Sequence, residues 1–447
     1  MNYAEWLIGI QKADGSWYDT DDVSPYIFDT AQILKGLIAV REIYDSREKI
    51  DEAIKKGIDW ILGCMTDEGR LVTPDTACWG SDDNTCSELI HMYCLSPIAD
   101  AGRIFGRTDY IEKAEKILKY YKDNYYDKIM NFSLLSHFYA YVMEALIDMG
   151  ETDMAVEAMA KIADIQKASG AVPAYKNVDW VCSTGLFQFA LVWFRIGDTE
   201  HGNKAFEYAC RLQNESGGWY GSYLSEDNCN EQNDYFPGAE ISWAVKYFLD
   251  ALYYKDVAEF NEQASDFIET ISKEDERYTV VRDIVACNGE GIRILDVGCG
   301  KGRYIKNLLE DFPDNKYAGV DISKNVMKWL DGSCAECKEG TLTCIPYDDN
   351  IFAVTYTCEA LEHAIDIENA VKEMVRVTKS NGYVVIIDKN KASYGMLEIG
   401  DWEQWPDESE LRCIMEKYCT SVEVKHGLAY ENMLSHDLFS AWIGIVK

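Results

Sequence analysis

The sequence predicts a multidomain α and α/β chain: an all-helical repeat over residues 1–255, a connecting helix over 256–277, and an α/β sandwich on a parallel sheet over 278–447. Three observations predict it. Apolar residues recur three and four apart through most of the first half, the spacing of one buried helix face. A glycine-containing turn of constant grammar recurs between those helices. In the second half, short apolar runs alternate with helical spacing, which builds a parallel sheet covered on both faces, with ligands at the carboxyl ends of its strands.

In the first half the helical spacing runs over 27–44, 51–64, 109–121, 134–149, 154–165, 186–196 and 240–254. The turns read Gln11-Lys-Ala-Asp-Gly-Ser-Trp-Tyr18, Cys64-Met-Thr-Asp-Glu-Gly-Arg70, Gln166-Lys-Ala-Ser-Gly-Ala-Val172 and Gln213-Asn-Glu-Ser-Gly-Gly-Trp-Tyr220. They stand about fifty residues apart, with one unit lacking the signature, so each unit is one helix pair packed on its neighbours. The Gln-x-x-x-Gly-x-Trp turns at Gln11 and Gln213 resemble those of α/α-toroid proteins, which include terpene cyclases, prenyltransferase subunits and glycan-processing enzymes. The resemblance implies an α/α-toroid of helix pairs and a turn residue set that ties pairs together. A cyclase Asp-x-Asp-Asp-Thr-Ala motif, a zinc-ligand set and a prenyl-binding signature are missing from it.

A toroid leaves a funnel lined by its longer loops. Those loops carry Tyr18, Asp19, Asp21, Asp22, Tyr26 and Asp29; Asp75, Trp79, Asp82 and Asp83; Tyr175, Asp179 and Trp180; Trp219, Tyr220, Tyr223, Glu226 and Asp227; and Asp234, Tyr235 and Phe236. Aromatic faces stack on sugar C–H faces and carboxylates accept from hydroxyls, which suits a small-molecule or glycan acceptor. Ordinary loop polarity around packed turn aromatics is the competing reading. Residues 256–277 hold one apolar stripe (Val257, Phe260, Ala264, Phe267, Ile268, Ile271) among charges, the pattern of a surface helix.

The formal charge of −34, most of it before residue 277, disfavours nucleic acid and acidic membranes as partners. No apolar run is long enough to cross a bilayer, and the N-terminus lacks a signal-peptide pattern, so a cytoplasmic protein is expected. Fifteen scattered cysteines imply reduced thiols rather than a disulfide framework.

The second half opens on Arg293-Ile-Leu-Asp-Val-Gly-Cys-Gly-Lys-Gly-Arg303, an apolar strand running into three glycines and a helix start. Glycines let a backbone approach a ligand closely. Asp321 ends the next strand about twenty residues on, where a carboxylate accepts both hydroxyls of a ribose. Strands are expected at 293–297, 316–320, 341–344, 352–356 and 382–388, with a closing hairpin near 420–427 and 437–446; helices are expected at 278–287, 302–311, 323–331 and 367–378. Cys334-Ala-Glu-Cys337 is a single CxxC, read as a surface loop rather than a redox or zinc pair.

The series Leu295-Asp-Val-Gly-Cys-Gly-Lys-Gly302, Ile345-Pro-Tyr-Asp-Asp-Asn-Ile-Phe352, Leu361-Glu-His363 and Arg376-Val-Thr-Lys379 resembles the Rossmann-like class I S-adenosylmethionine-dependent methyltransferases, in particular the type 11 branch. The resemblance covers about 170 residues. It implies S-adenosyl-L-methionine as cofactor, with Asp296, Gly298, Cys299, Gly300 and Gly302 around its methionine part, Asp321 on the ribose and Ile322 on the adenine. Where the family has Gly-Asp before the adenine loop, this chain has Gly340-Thr341, so Thr341 or the backbone near Cys344 and Ile345 is expected to substitute. Thr357, Cys358 and Glu359 would lie beside the sulfonium. His363 is the expected general base, with Glu362 and Glu359 as fallbacks. Asp388 is a candidate for acceptor or metal binding, though no metal-ligand set stands out.

The reading is an O-methyltransferase of a sugar, glycan or polar natural product, with the toroid helping to recognise the acceptor. A bifunctional enzyme with a second site in the toroid, and a toroid that serves as a protein-binding platform, are the alternatives.

Overall fold

The structure, a computed structural model, describes residues 3–18, 22–41, 44, 46–74, 88–225, 228–229, 231–333, 335–397, 399, 403–430 and 437–447. The chain divides into two compact units, Met1–Asp256 and Val257–Lys447.

The first unit is a stack of helix pairs. Its helices are α1 (Tyr3–Ile10), α2 (Ile27–Val40), α3 (Arg47–Gly63), α4 (Leu95–Phe105), α5 (Thr108–Ile129), α6 (Ser136–Asp148), α7 (Thr152–Ala163), α8 (Ser183–Ile196), α9 (Thr199–Arg211) and α10 (Ser242–Glu262), the last running on into the second unit. The pairs α2/α3, α4/α5, α6/α7 and α8/α9 pack within themselves, and α6 also packs on α8. In α8 every residue from Ser183 to Phe194 is buried, whereas α9 buries only Gly202, Ala205, Phe206 and Ala209. The helix α8 is therefore buried all round, polar Gln188 included, and α9 is amphipathic, with one buried stripe.

The recurring turns share one geometry. Gly15, Gly69, Gly170 and Gly217 all have φ between +89° and +104°. Each donates its N–H to the carbonyl three residues back: Lys12, Thr66, Lys167 and Asn214. Gln11, Gln166 and Gln213 bond the carbonyl of the glycine four residues on, and Gln11 and Gln166 also reach the Ala53 carbonyl of α3 and the His201 carbonyl of α9. Trp17 and Trp219 are buried and donate to Leu7 and Ala209. Of the loop residues named above, Tyr26 and Trp180 are also interior, and Asp179 is tied to Lys167. Tyr175 and Phe236 are exposed. Asp19, Asp21, Asp75, Trp79, Asp82, Asp83, Glu226 and Asp227 lie outside the described residues.

The second unit is built on seven strands: β1 (Arg293–Val297), β2 (Lys316–Asp321), β3 (Glu336–Glu339), β4 (Phe352–Cys358), β5 (Thr378–Lys389), β6 (Cys419–Lys425) and β7 (Phe439–Val446). Their order is β3-β2-β1-β4-β5-β7-β6, parallel except for β7, which is antiparallel to both neighbours. Helices α11 (Glu276–Cys287), α12 (Arg303–Asp311) and α13 (Lys324–Met327) cover one face, and α14 (Ile367–Val377) and α15 (Glu408–Tyr418) the other.

Two expectations are corrected. The strand expected at 341–344 is a turn closed by a Thr341–Cys344 bridge, and the edge strand is Glu336–Glu339. Its charged sequence hid it, although charge is how exposed edges are commonly protected. Cys337 therefore lies in the sheet, not in a surface loop, and Cys334 falls outside the described residues. The helix expected over 256–277 stops at Glu262, passes through one tight turn at Gln263–Ser265 and runs irregularly to α11. Carbonyls there find side chains instead of helical N–H groups: Lys301 donates to Ser265 at 2.9 Å and Asn307 to Ile271 at 2.9 Å.

Candidate cofactor and acceptor site

At the carboxyl end of β1 the chain bends through Gly298 (φ +77°), Gly300 (φ +49°) and Gly302 (φ +75°), then enters α12. The Gly298 and Cys299 N–H groups donate to the Val320 carbonyl at 2.8 and 3.0 Å, which fastens the bend to β2. Asp321, at the end of β2, accepts from Gly300 N–H on one oxygen and from Ser323 N–H on the other, both at 2.9 Å. Each oxygen keeps a second lone pair for a ligand hydroxyl. The space beyond Gly300 is open, since a Cβ there would meet only Phe267, at 3.9 Å.

Asp296 stands in the floor of the bend, and burial pushes its carboxyl up to about 7 against the pull of Arg303. Beside it on β4, the buried Thr357 hydroxyl has no hydrogen-bond partner among the described residues. An unsatisfied buried hydroxyl carries a cost that a ligand atom can relieve. Cys358 is also buried, with its thiol 2.7 Å from the Tyr304 hydroxyl.

The end of α10 and the irregular stretch that follows it, together residues 257–275 and missed as a site element in the sequence, lie across this bend. Asn261 accepts from Ser323 at 2.6 Å, Phe267 faces Gly300, and the Phe260 ring meets the His363 ring edge-on at 5.4 Å. Its helix-like apolar spacing disguised a strap.

Directly after β4, Glu359 sits at φ +55°, an uncommon conformation for a non-glycine residue. Its carboxylate bridges Arg277 at 2.7 Å and Arg303 at 2.6 Å. Arg277 is itself buried and fully engaged by Asp275. Glu362, 2% exposed, takes both oxygens to Lys389 at 2.7 and 2.9 Å; burial raises its pKa while Lys389 lowers it. Asp388 is buried and accepts from the Glu362 N–H, so its place is behind the site rather than on an acceptor.

His363 is the freest of the three expected bases. Its Nε2 stands 3.6 Å from Glu362, beyond hydrogen-bond reach, and burial lowers its pKa below 6.5. Glu362, His363 and Glu403 could together offer three ligand atoms to a metal, but the Lys389 ammonium already stands on Glu362 and 3.6 Å from Glu403.

The substitutes expected at the adenine divide. Thr341 is half-buried next to Thr343, and Ile322 is half-buried directly after Asp321. Ile345 commits its N–H to Glu373 and its side chain to the core, and Cys344 is exposed with its N–H turned back to Thr341. Neither offers its backbone donor to a base. Arg277, Arg303, Lys389 and Glu403 were not singled out in the sequence. Arg303 directly follows the last glycine and Lys389 directly follows Asp388, positions that could have signalled them.

Open backbone at the bend, an acid with free lone pairs at the end of the next strand and an unsatisfied hydroxyl on β4 together fit a nucleoside bearing an amino-acid tail. Residues 295–386 match the family described as methyltransferase domain. The second unit carries a class I S-adenosylmethionine-dependent methyltransferase domain. Its cofactor is S-adenosyl-L-methionine. The chain is 30% identical over 114 residues to a demethylmenaquinone methyltransferase of Roseiflexus castenholzii, covering 25% of this chain and 48% of that protein. It is 28% identical over 232 residues to 24-methylenesterol C-methyltransferase 3 of Arabidopsis thaliana, covering 47% and 62%. The chain thus spans about half the length of the curated relatives it matches first. A solved methyltransferase from Aquifex aeolicus aligns at 19% identity with a TM-score of 0.32, over 42% of this chain and 98% of its own. No helix among the described residues is long and apolar enough to cross a membrane.

Proposed function

We propose that the protein is an O-methyltransferase that takes a small hydroxylated molecule or glycan and removes its hydroxyl proton at His363 Nε2. The observation that carries this reading is the state of the three candidate bases: Glu359 is held by two guanidiniums and Glu362 by an ammonium, while His363 is uncommitted and neutral at pH 7. S-adenosylmethionine supplies an electrophilic methyl group for in-line transfer, so the residues have to align the acceptor oxygen and take its proton. Lys389 and Glu403 beside His363 favour a polar acceptor. The helical unit, read as an α/α-toroid, contributes acceptor recognition; its layered pairs and repeated turns support that reading.

Transfer of labelled methyl to a panel of hydroxyl acceptors tests it. His363→Gln should lower kcat by about 10²–10⁴-fold with cofactor affinity unchanged. The wild-type rate should climb as pH rises through a value below 6.5 and level off above 7, because the base works deprotonated. An undiminished His363→Gln rate, or a methyl group found on carbon, overturns the proposal.

One observation favours the bifunctional alternative. In the helical unit a buried chain runs from Tyr141 to His137 Nε2 (3.3 Å), from His137 Nδ1 to Gln188 (2.5 Å) and from Gln188 to Glu144 (2.8 Å). Turnover of a sugar without S-adenosylmethionine would select it.

A further inference from the structure

Two thiols meet beneath the glycine bend. Cys299, between Gly298 and Gly300, is 5% exposed, and Cys337 is half-buried on β3. Cys337 pairs in register with Gly319 of β2, while the Cys299 backbone is fastened to the adjacent Val320. A Cβ on Gly319 would stand 2.8 Å from Cys299 Sγ and 3.2 Å from Cys337 Sγ. Any side chain at 319 would fill the place where the sulfurs converge, and glycine leaves it to them.

The partners are unequal. The neighbouring Cys299 thiol holds the Cys337 thiol below its ordinary value despite its burial, while Cys337 and burial push the Cys299 thiol well up. Cys337 is also the more exposed. A more acidic, more accessible thiol is the one that meets an oxidant, and its neighbour resolves the product.

We infer that Cys299 and Cys337 form a reversible disulfide with a peroxide as oxidant, and that this bond weakens the cofactor cradle; the second part rests on the assignment of S-adenosylmethionine to the bend. The Cys337 thiolate attacks one peroxide oxygen, the O–O bond breaks, and a sulfenic acid and hydroxide form. Cys299 then attacks that sulfur, the S–O bond breaks, and its proton and the leaving hydroxide become water. Two thiols and one hydrogen peroxide give one disulfide and two waters. Drawing Cys299 toward β3 pulls on its neighbour Gly300, whose N–H holds the Asp321 carboxylate.

Full-length protein treated with hydrogen peroxide should give a dithiothreitol-sensitive peptide pair joining residues 299 and 337 in mass spectrometry. Calorimetry with S-adenosylhomocysteine should show binding at least tenfold weaker than in the reduced protein, restored by dithiothreitol. Cys337→Ser should bind as the reduced wild type does and ignore peroxide. Absence of the 299–337 link, or a complete link with unchanged affinity, overturns the inference. Reduced wild type that binds no S-adenosylhomocysteine overturns the cofactor assignment and the weakening with it, while the mass of the link still decides the first part.

Discussion

Glycine serves opposite purposes at three turns of the helical unit and at Gly300 of the α/β unit, whereas Gly217 has open space and Gly298 and Gly302 are crowded by Ala360 and Leu330. At Gly15, Gly69 and Gly170 of the helical unit, the space a Cβ would occupy is taken by protein: the carbonyls of Lys56, Lys116 and Lys204 press into it from a neighbouring helix. At Gly300 of the α/β unit that space is open and the N–H is turned to a buried acid. All four have positive φ. A motif of conformationally special glycines therefore says where the backbone turns sharply; whether it turns to meet a helix or a ligand depends on what stands beyond it.

The comparison is sharpest when alanine is placed at each kind of site. Gly170→Ala must displace the Lys204 carbonyl and adopt a strained φ, so it should cost about 3 kcal/mol or more of stability, read as a lowered unfolding midpoint. Gly300→Ala has only the left-handed backbone to tolerate, about 1–2 kcal/mol, yet should weaken cofactor binding at least tenfold. If Gly300→Ala were the more destabilising and bound cofactor normally, the distinction would collapse.

A pH-dependent effect belongs to the α/β unit. Burial raises the Asp296 carboxyl to about 7, against roughly 3.9 when unfolded. Its contribution to stability is full below about pH 4 and lost as pH rises to 7. Asp296→Asn should flatten that slope, by at most about 4 kcal/mol between pH 4 and 8 in urea unfolding, since one unit is worth about 1.4 kcal/mol.

What could be read from the chain follows the same division. The bend, Asp321, the strand alternation and the helix pairs were legible because each is local: a few residues whose backbone demands a type or a period. The stretch after Glu262 was not, because its Phe267 and Ile271 continue the helical spacing of α10 and only the surface beneath them decides otherwise. The edge strand Glu336–Glu339 was hidden by its charges, and the lock on Glu359 by distance, Arg277 lying 82 residues away in sequence. Trp180 and Trp219 were weighed as possible ligand-binding aromatics, and their burial makes them packing.

The central claim is that the open bend and Asp321 hold the nucleoside of S-adenosylmethionine. Titration calorimetry of wild type and Asp321→Ala with S-adenosylhomocysteine tests it most directly. Saturable binding by the wild type and a loss of at least a hundredfold in the variant, with both proteins folded, is the predicted result. No heat from the wild type, or equal affinity in the two, would contradict it.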